Sequence, residues 1–175
     1  ATHLRNREFG RARDQIDNDQ GINPLLDKII TGWAVAEEGN IEDAKLIFDK
    51  IGNGTSLAQF SQTQKASMLA AFGQYESALN TIEILEEDFN RLSIDARVMK
   101  VQLLLKLDRQ EKAAEYFSKN FVDAISSDAD KLKLQIENHP NALSLGTNLS
   151  LESGIAYAFY AIGDILKDEA DPNTA

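Results

Sequence analysis

The chain has 175 residues, 43% apolar and 26% charged, with a formal net charge of −10. That charge repels phosphate backbones and anionic lipid, which speaks against a nucleic-acid or membrane-surface role. Cysteine is absent, so disulfide and thiolate chemistry are excluded and the redox compartment stays open.

The first periodic stretch, 8–19, predicts a helix burying Phe9, Ala12 and Ile16. Asn23-Pro24 reads as a helix start, because Asn accepts from orphan N–H groups and Pro at the first position loses none. Helix 24–38 carries Leu25, Leu26, Ile29, Ile30, Trp33 and Val35 on more than one face, as a helix between neighbours does. Gly39 ends it in the left-handed region, with Asn40 capping helix 41–51. Asn53-Gly54-Thr55-Ser56 links helix-periodic flanks and reads as a loop. Helix 57–72 follows, with Gln59, Gln62, Gln64 and Lys65 on a polar side and Phe60, Met68, Leu69 and Phe72 on an apolar one. Helix 75–88 ends in Glu86-Glu87-Asp88, unfavourable at the negative end of a helix dipole. Helices 92–107 and 109–121 form the next pair, with Asp108 and Glu111 spaced as a capping box. Beyond Phe121, residues 127–138 read as a helix stopped at His139-Pro140. Residues 140–149 read as a loop. Residues 150–167 read as a long helix with Leu151, Ile155, Phe159, Ile162 and Leu166 on one face. The expected fold is therefore all-α.

The chain also repeats itself. Gly39 recurs as Gly73, and Ile41, Ala44, Phe48 and Ile51 recur as Tyr75, Ala78, Ile82 and Leu85, all at an offset of 34 residues. A third copy, displaced by 35, has Val101, Leu104, Asp108 in place of glycine, Ala113 and Phe117. This period with an A-x3-F core resembles the tetratricopeptide repeat (TPR). The first core tryptophan position departs from the pattern, holding Lys28, Gln62 and Arg97 in turn. The resemblance implies a right-handed α-solenoid of stacked antiparallel helix pairs: a half repeat and about three pairs in 1–126, then helices in 127–175 that begin further repeats or cap the array. A chain opening on an orphan second helix and closing on a first helix reads as cut from a longer one. No targeting signal opens it, which leaves the cytoplasm and the periplasm both open as compartments.

Motifs of catalysis are missing: no HExxH, no phosphate-binding loop and no GxGxxG. His3 and His139 read as terminal and loop residues, and the clusters Glu37-Glu38, Glu86-Glu87-Asp88 and Asp128/Asp130 lack calcium-loop spacing and read as solvated faces. Asn53-Gly54-Thr55 and Asn148-Leu149-Ser150 match the glycosylation sequon, which matters only in a secreted eukaryotic protein. The expectation is a non-enzyme with no metal and no cofactor. The TPR resemblance places a partner groove on the first helices of the pairs, at Leu26, Ile29, Trp33, Ala36 and Glu37, at Phe60, Thr63, Ser67 and Ala71, and at Asp95, Val98, Gln102 and Lys106. Ile29 and Trp33 stand where the family's carboxylate clamp needs polar side chains, so that specificity is not implied. The expected role is a protein-binding scaffold, most like bacterial TPR proteins, taking a protein or peptide with a basic segment. The alternatives are a structural or oligomerising segment whose groove is filled by its own C-terminal helix or a second copy, and the accessory arm of a larger enzyme. For Leu26, Ile29 and Trp33 the competing reading is that they pack only on neighbouring helices.

Overall fold

The computed structural model describes residues 9–18, 23–52, 57–89 and 91–121. Among them are seven helices: α1 (Phe9–Asp17), α2 (Pro24–Glu37), α3 (Ile41–Asp49), α4 (Leu57–Ala71), α5 (Tyr75–Asp88), α6 (Ile94–Lys106) and α7 (Gln110–Asn120). Among the described residues the all-α expectation is met, with helix ends within a residue or two of those read from the sequence. The helices expected at 127–138 and 150–167, the loop at 140–149 and the burial of Phe9 and Ala12 lie outside the described residues.

The ends of the helices follow from individual residues. The Asn23 side chain accepts from the N–H of Leu25 at 2.9 Å and of Leu26 at 3.5 Å, so Asn23-Pro24 opens α2 as expected. Ser93 does the same for α6, accepting from the Ala96 N–H at 3.3 Å. Three junctions close alike. The N–H groups of Gly39, Gly73 and Asp108 bond back to the carbonyls of Ala36, Ala70 and Leu105, and those of Asn40, Gln74 and Arg109 to Val35, Leu69 and Leu104. This double bond is the Schellman closure, and it needs a residue in the left-handed region. Gly39 and Gly73 supply it with φ of 91° and 77°, and Asp108 with 56°, the only positive φ outside glycine among the described residues.

Two expectations at these junctions are corrected. Asp108 does not form a capping box with Glu111, because it is spent on closing α6, and Arg109 holds the N-cap of α7 with no side-chain bond. Asn40 stands at the N-cap of α3, but its side chain caps nothing. The first turn is held instead by backbone bonds from Ala44, Ala78 and Ala113 to the carbonyls of Asn40, Gln74 and Arg109.

Packing follows the chain. Each helix touches the next, and the alternate helices α2, α4 and α6 also touch in succession. Ala44, Ala78 and Ala113 are fully buried, small residues where paired helices with axes about 8–10 Å apart approach. Gly32 serves the same approach from α2: a Cβ there would lie 2.8 Å from the Phe48 ring. Ala44→Leu and Ala78→Leu should each overpack their crossing by roughly 1–3 kcal/mol. Thermal melting checks this, and an unchanged midpoint in both variants would contradict the crossing sites.

The residues at the departed tryptophan position have separate uses. Gln62 donates to Asp49 at 3.0 Å. Arg97 donates to the Asn120 carbonyl at 2.6 Å, with its guanidinium 5.4 Å from the centre of the Phe121 ring. Lys28 is exposed. Two of the three thus tie a first helix to a second helix by polar contacts instead of apolar ones.

Candidate functional site: the first-helix face

Helix α4 shows how the face is defined. Ser61 donates to the Phe48 carbonyl and Lys65 pairs with Asp49 at 2.7 Å, so that side meets α3. Gln62, Lys65 and Leu69 look across a cleft at Glu76, Ser77 and Thr81 of α5. Gln64 accepts from the Trp33 indole N–H of α2 at 3.2 Å. Gln59 donates to the Arg91 carbonyl and accepts from the Ser93 N–H, clamping the segment that leads into α6. Phe60, Thr63 and Ser67, at i, i+3 and i+7, form the remaining stripe. The same register on α2 carries Leu26, Ile29, Trp33 and Glu37, and on α6 Asp95, Val98, Gln102 and Lys106.

The positions expected to meet a partner thus share one register, but they differ in exposure. Leu26, Ile29, Trp33, Ala36, Thr63, Ser67 and Gln102 are buried. Trp33 has no exposed surface and meets the Phe48 ring edge-on at 6.5 Å between centres. Phe60, Ala71, Asp95 and Val98 are half-buried, and Glu37 and Lys106 are exposed. The face is therefore largely closed, as an interior is. Two polar atoms, Nε2 of Gln64 on the side of α4 that meets Trp33 and Oε1 of Gln102 on the face itself, are buried without a hydrogen-bond partner among the described residues.

Sequence reasoning missed Gln64. Placed on the polar side of its helix, it is fully buried, since the Trp33 indole N–H needs an acceptor wherever the ring is enclosed. It also misplaced Phe72, which stands 39% exposed at the end of α4.

A second polar cluster joins α5, α6 and α7. Glu86 accepts from Lys100 Nζ and, at 3.0 Å, from the Tyr116 hydroxyl. The Lys100 ammonium lies 4.6 Å from the centre of the Tyr116 ring. These contacts account for Glu86 at the end of α5: its charge is answered by a buried lysine, not left facing the helix dipole. Burial, then the hydrogen bond to Glu86, raises the Tyr116 pKa far above the usual tyrosine value. The folded chain therefore holds that proton more tightly than the unfolded chain. Its contribution is complete below the unfolded value of about 10 and declines as pH rises through the interval up to the folded value. Urea unfolding across this range should show an alkaline loss of stability that is smaller in Tyr116→Phe. Equal losses in both proteins would contradict the shift.

The other surfaces are less informative. A cleft of about 640 Å³ between α3, α4 and α5 is lined by Lys45, Asp49, Lys65, Asn80 and Ile84. Its lysines are already paired, Lys65 with Asp49 and Lys45 with Glu42. Among the described residues no group of three His, Cys, Asp or Glu side chains is placed to hold a metal, and no helix is long and apolar enough to cross a membrane. Compared with family models, curated proteins and solved structures, the chain matches none.

Proposed function

We propose that the chain is a TPR-like α-solenoid serving as a non-catalytic scaffold for protein–protein interaction, with the first-helix face as its binding surface. The observation that carries this reading is the threefold junction. The same Schellman closure, followed by the same buried alanine, recurs at offsets of 34 and 35 residues. Neighbour-to-neighbour packing with contact between alternate helices suits such an array. The partner would be a protein or peptide segment, and the net charge of −10 favours a basic one.

The burial of Thr63, Ser67 and Gln102 supports a second element, in which the face is filled at rest and a partner competes for it. A photo-crosslinking side chain at position 98, half-buried at the edge of the face, tests the scaffold reading. The expected result is one predominant adduct, suppressed by excess unmodified chain and weakened by salt, since screening removes the charge attraction. If no adduct yields to that competition, the reading fails.

A further inference from the structure

The cleft bounded by α3, α4 and α5 is open where the first-helix face is closed. Its floor is Gln62, Lys65 and Leu69 of α4. With about 3.6 residues per turn, these stand on the opposite side of α4 from Phe60, Thr63 and Ser67. The cleft's volume of about 640 Å³ falls within the range of ligand sites, roughly 300–1,000 Å³. One end is electrically settled: Lys45 pairs with Glu42 at 2.8 Å, and Glu76 with Arg109 at 2.5 Å.

The other end is not. The α4–α5 hairpin turns at Gly73 and so sets the first half of α4 beside the last half of α5. Gln62 in that first half and Lys65 at mid-helix both donate to Asp49, at 3.0 and 2.7 Å, which brings the end of α3 to the Ile84 end of the cleft. Both bonds fall on Asp49 Oδ1. Its Oδ2 accepts none among the described residues, and the side chain keeps 41% of its surface exposed. Glu87 and Asp88 continue the helix face of Ile84 one turn on. Both are exposed, and among the described residues neither side chain is paired. Helix α5 contains no basic residue, and Arg91, the next along the chain, is exposed and pairs with neither. Glu87 and Asp88 also stand against the negative end of the α5 dipole. Such departures from local preference concentrate at functional sites.

We propose that this cleft is a docking groove for a basic polypeptide segment that carries an arginine next to a large apolar residue. The arginine lies at the end marked by Asp49, Glu87 and Asp88, and the apolar side chain lies on Ile84. Charge sets the sign. The lysines that line the cleft are already paired, so an acidic segment would meet only spent cations, while unanswered carboxylate oxygens await a base. Arginine suits the end better than lysine, because its planar fork can serve two carboxylates and is more weakly hydrated. Ile84 is 52% exposed, an apolar step that a bare polyamine would leave in water. Beside it Asn80 is exposed, and its amide makes no bond among the described residues. A peptide unit has the acceptor and the donor that an amide side chain requires. The groove is additional to the first-helix face and does not rest on that reading.

The test uses the full chain and a short fluorescein-labelled peptide of alternating arginine and leucine, followed by anisotropy at low salt. Binding is expected, and it should weaken as salt rises. Glu87→Gln combined with Asp88→Asn should weaken it roughly fivefold or more, and Ile84→Ser should do likewise. Asp43→Asn combined with Glu111→Gln removes the same charge from exposed positions outside the cleft and should leave affinity within about twofold. Equal weakening by the two pairs would mean attraction by net charge alone and would overturn the groove. Absence of binding, or binding untouched by Ile84→Ser, would overturn it too. Spermine displacing the peptide as well as an unlabelled copy does would overturn the polypeptide and name a site for bare cations.

Stability supplies an independent readout. Relief of repulsion at the end of α5 should raise the melting midpoint of the Glu87→Gln, Asp88→Asn protein by about 1–4 °C, so its lost binding cannot come from unfolding. A lowered midpoint would mean that the two carboxylates serve the fold, and would overturn the proposal. Competable crosslinking at position 98 should persist in this variant, since the two surfaces lie on opposite sides of α4, and failure of either reading leaves the other standing.

Discussion

Trp33→Ala is expected to destabilise the chain by about 3–5 kcal/mol, the cost of deleting a large enclosed aromatic side chain. Trp33 is fully buried, meets Phe48 edge-on at 6.5 Å, and donates its indole N–H to Gln64. The loss has two parts, a cavity between α2, α3 and α4 and a buried amide left with neither of its groups bonded. Trp33→Phe separates them. It keeps most of the ring volume and removes only the donor, so it should cost about 1–3 kcal/mol, the penalty for an unpaired buried acceptor. Chemical unfolding of both variants measures the difference. A Trp33→Ala protein as stable as the parent would mean that the ring is not part of the core. Because Trp33 is enclosed, its expected effect on partner binding passes through folding, and a binding assay on this variant is informative only beside a measure of helix content.

The second large effect is expected at Glu86. Its carboxylate accepts from Lys100 and Tyr116, which stand on the next two helices. Glu86→Ala leaves Lys100, 8% exposed, as a buried cation facing an aromatic ring without a counter-charge. The expected cost is about 2–3 kcal/mol, below the roughly 3–5 of a fully buried pair, because the Glu86 side chain keeps 36% of its surface exposed. Lys100→Met, which keeps the length and removes the charge, should cost less than Glu86→Ala. A double-mutant cycle of Glu86→Ala with Tyr116→Phe should show coupling. Strict additivity would mean that the tyrosine hydroxyl gains nothing from the carboxylate.

What could be read in the sequence depended on whether one residue sufficed to decide. Gly39 and Gly73 announced their junctions because a positive φ is a demand on a single position. Ala44, Ala78 and Ala113 were legible because only a small side chain fits a close helix crossing. Asp108 fits two signatures, an N-cap and a left-handed closure, and the sequence holds nothing to rank them. The structure ranks them through the bonds from Asp108 and Arg109 back to Leu105 and Leu104.

Gln64, Lys100 and Glu86 belong to a different kind of problem. Each is a polar residue whose partner sits 14 to 31 positions away on another helix, so helical periodicity places it on a face without saying what that face meets. The candidate face suffered similarly. Its register was readable from the repeat, while its enclosure was not, because burial of Thr63 and Gln102 depends on tertiary neighbours and not on their own polarity.

The neighbour-to-neighbour packing of α1 to α7 has a kinetic consequence. Among the described helices the main contacts run to the next one or two in sequence; such contacts close short loops, and short loops have a low entropic barrier. Assembly of these helices can start at any pair and spread in either direction, on the fast microsecond-to-millisecond side of the range for small domains. Substitutions in the α2–α3 pair should then act mainly on unfolding rates when α6–α7 supplies the nucleus, and the reverse. Among these helices no one pair need form first, so a substitution in a given pair slows assembly only when that pair is the nucleus.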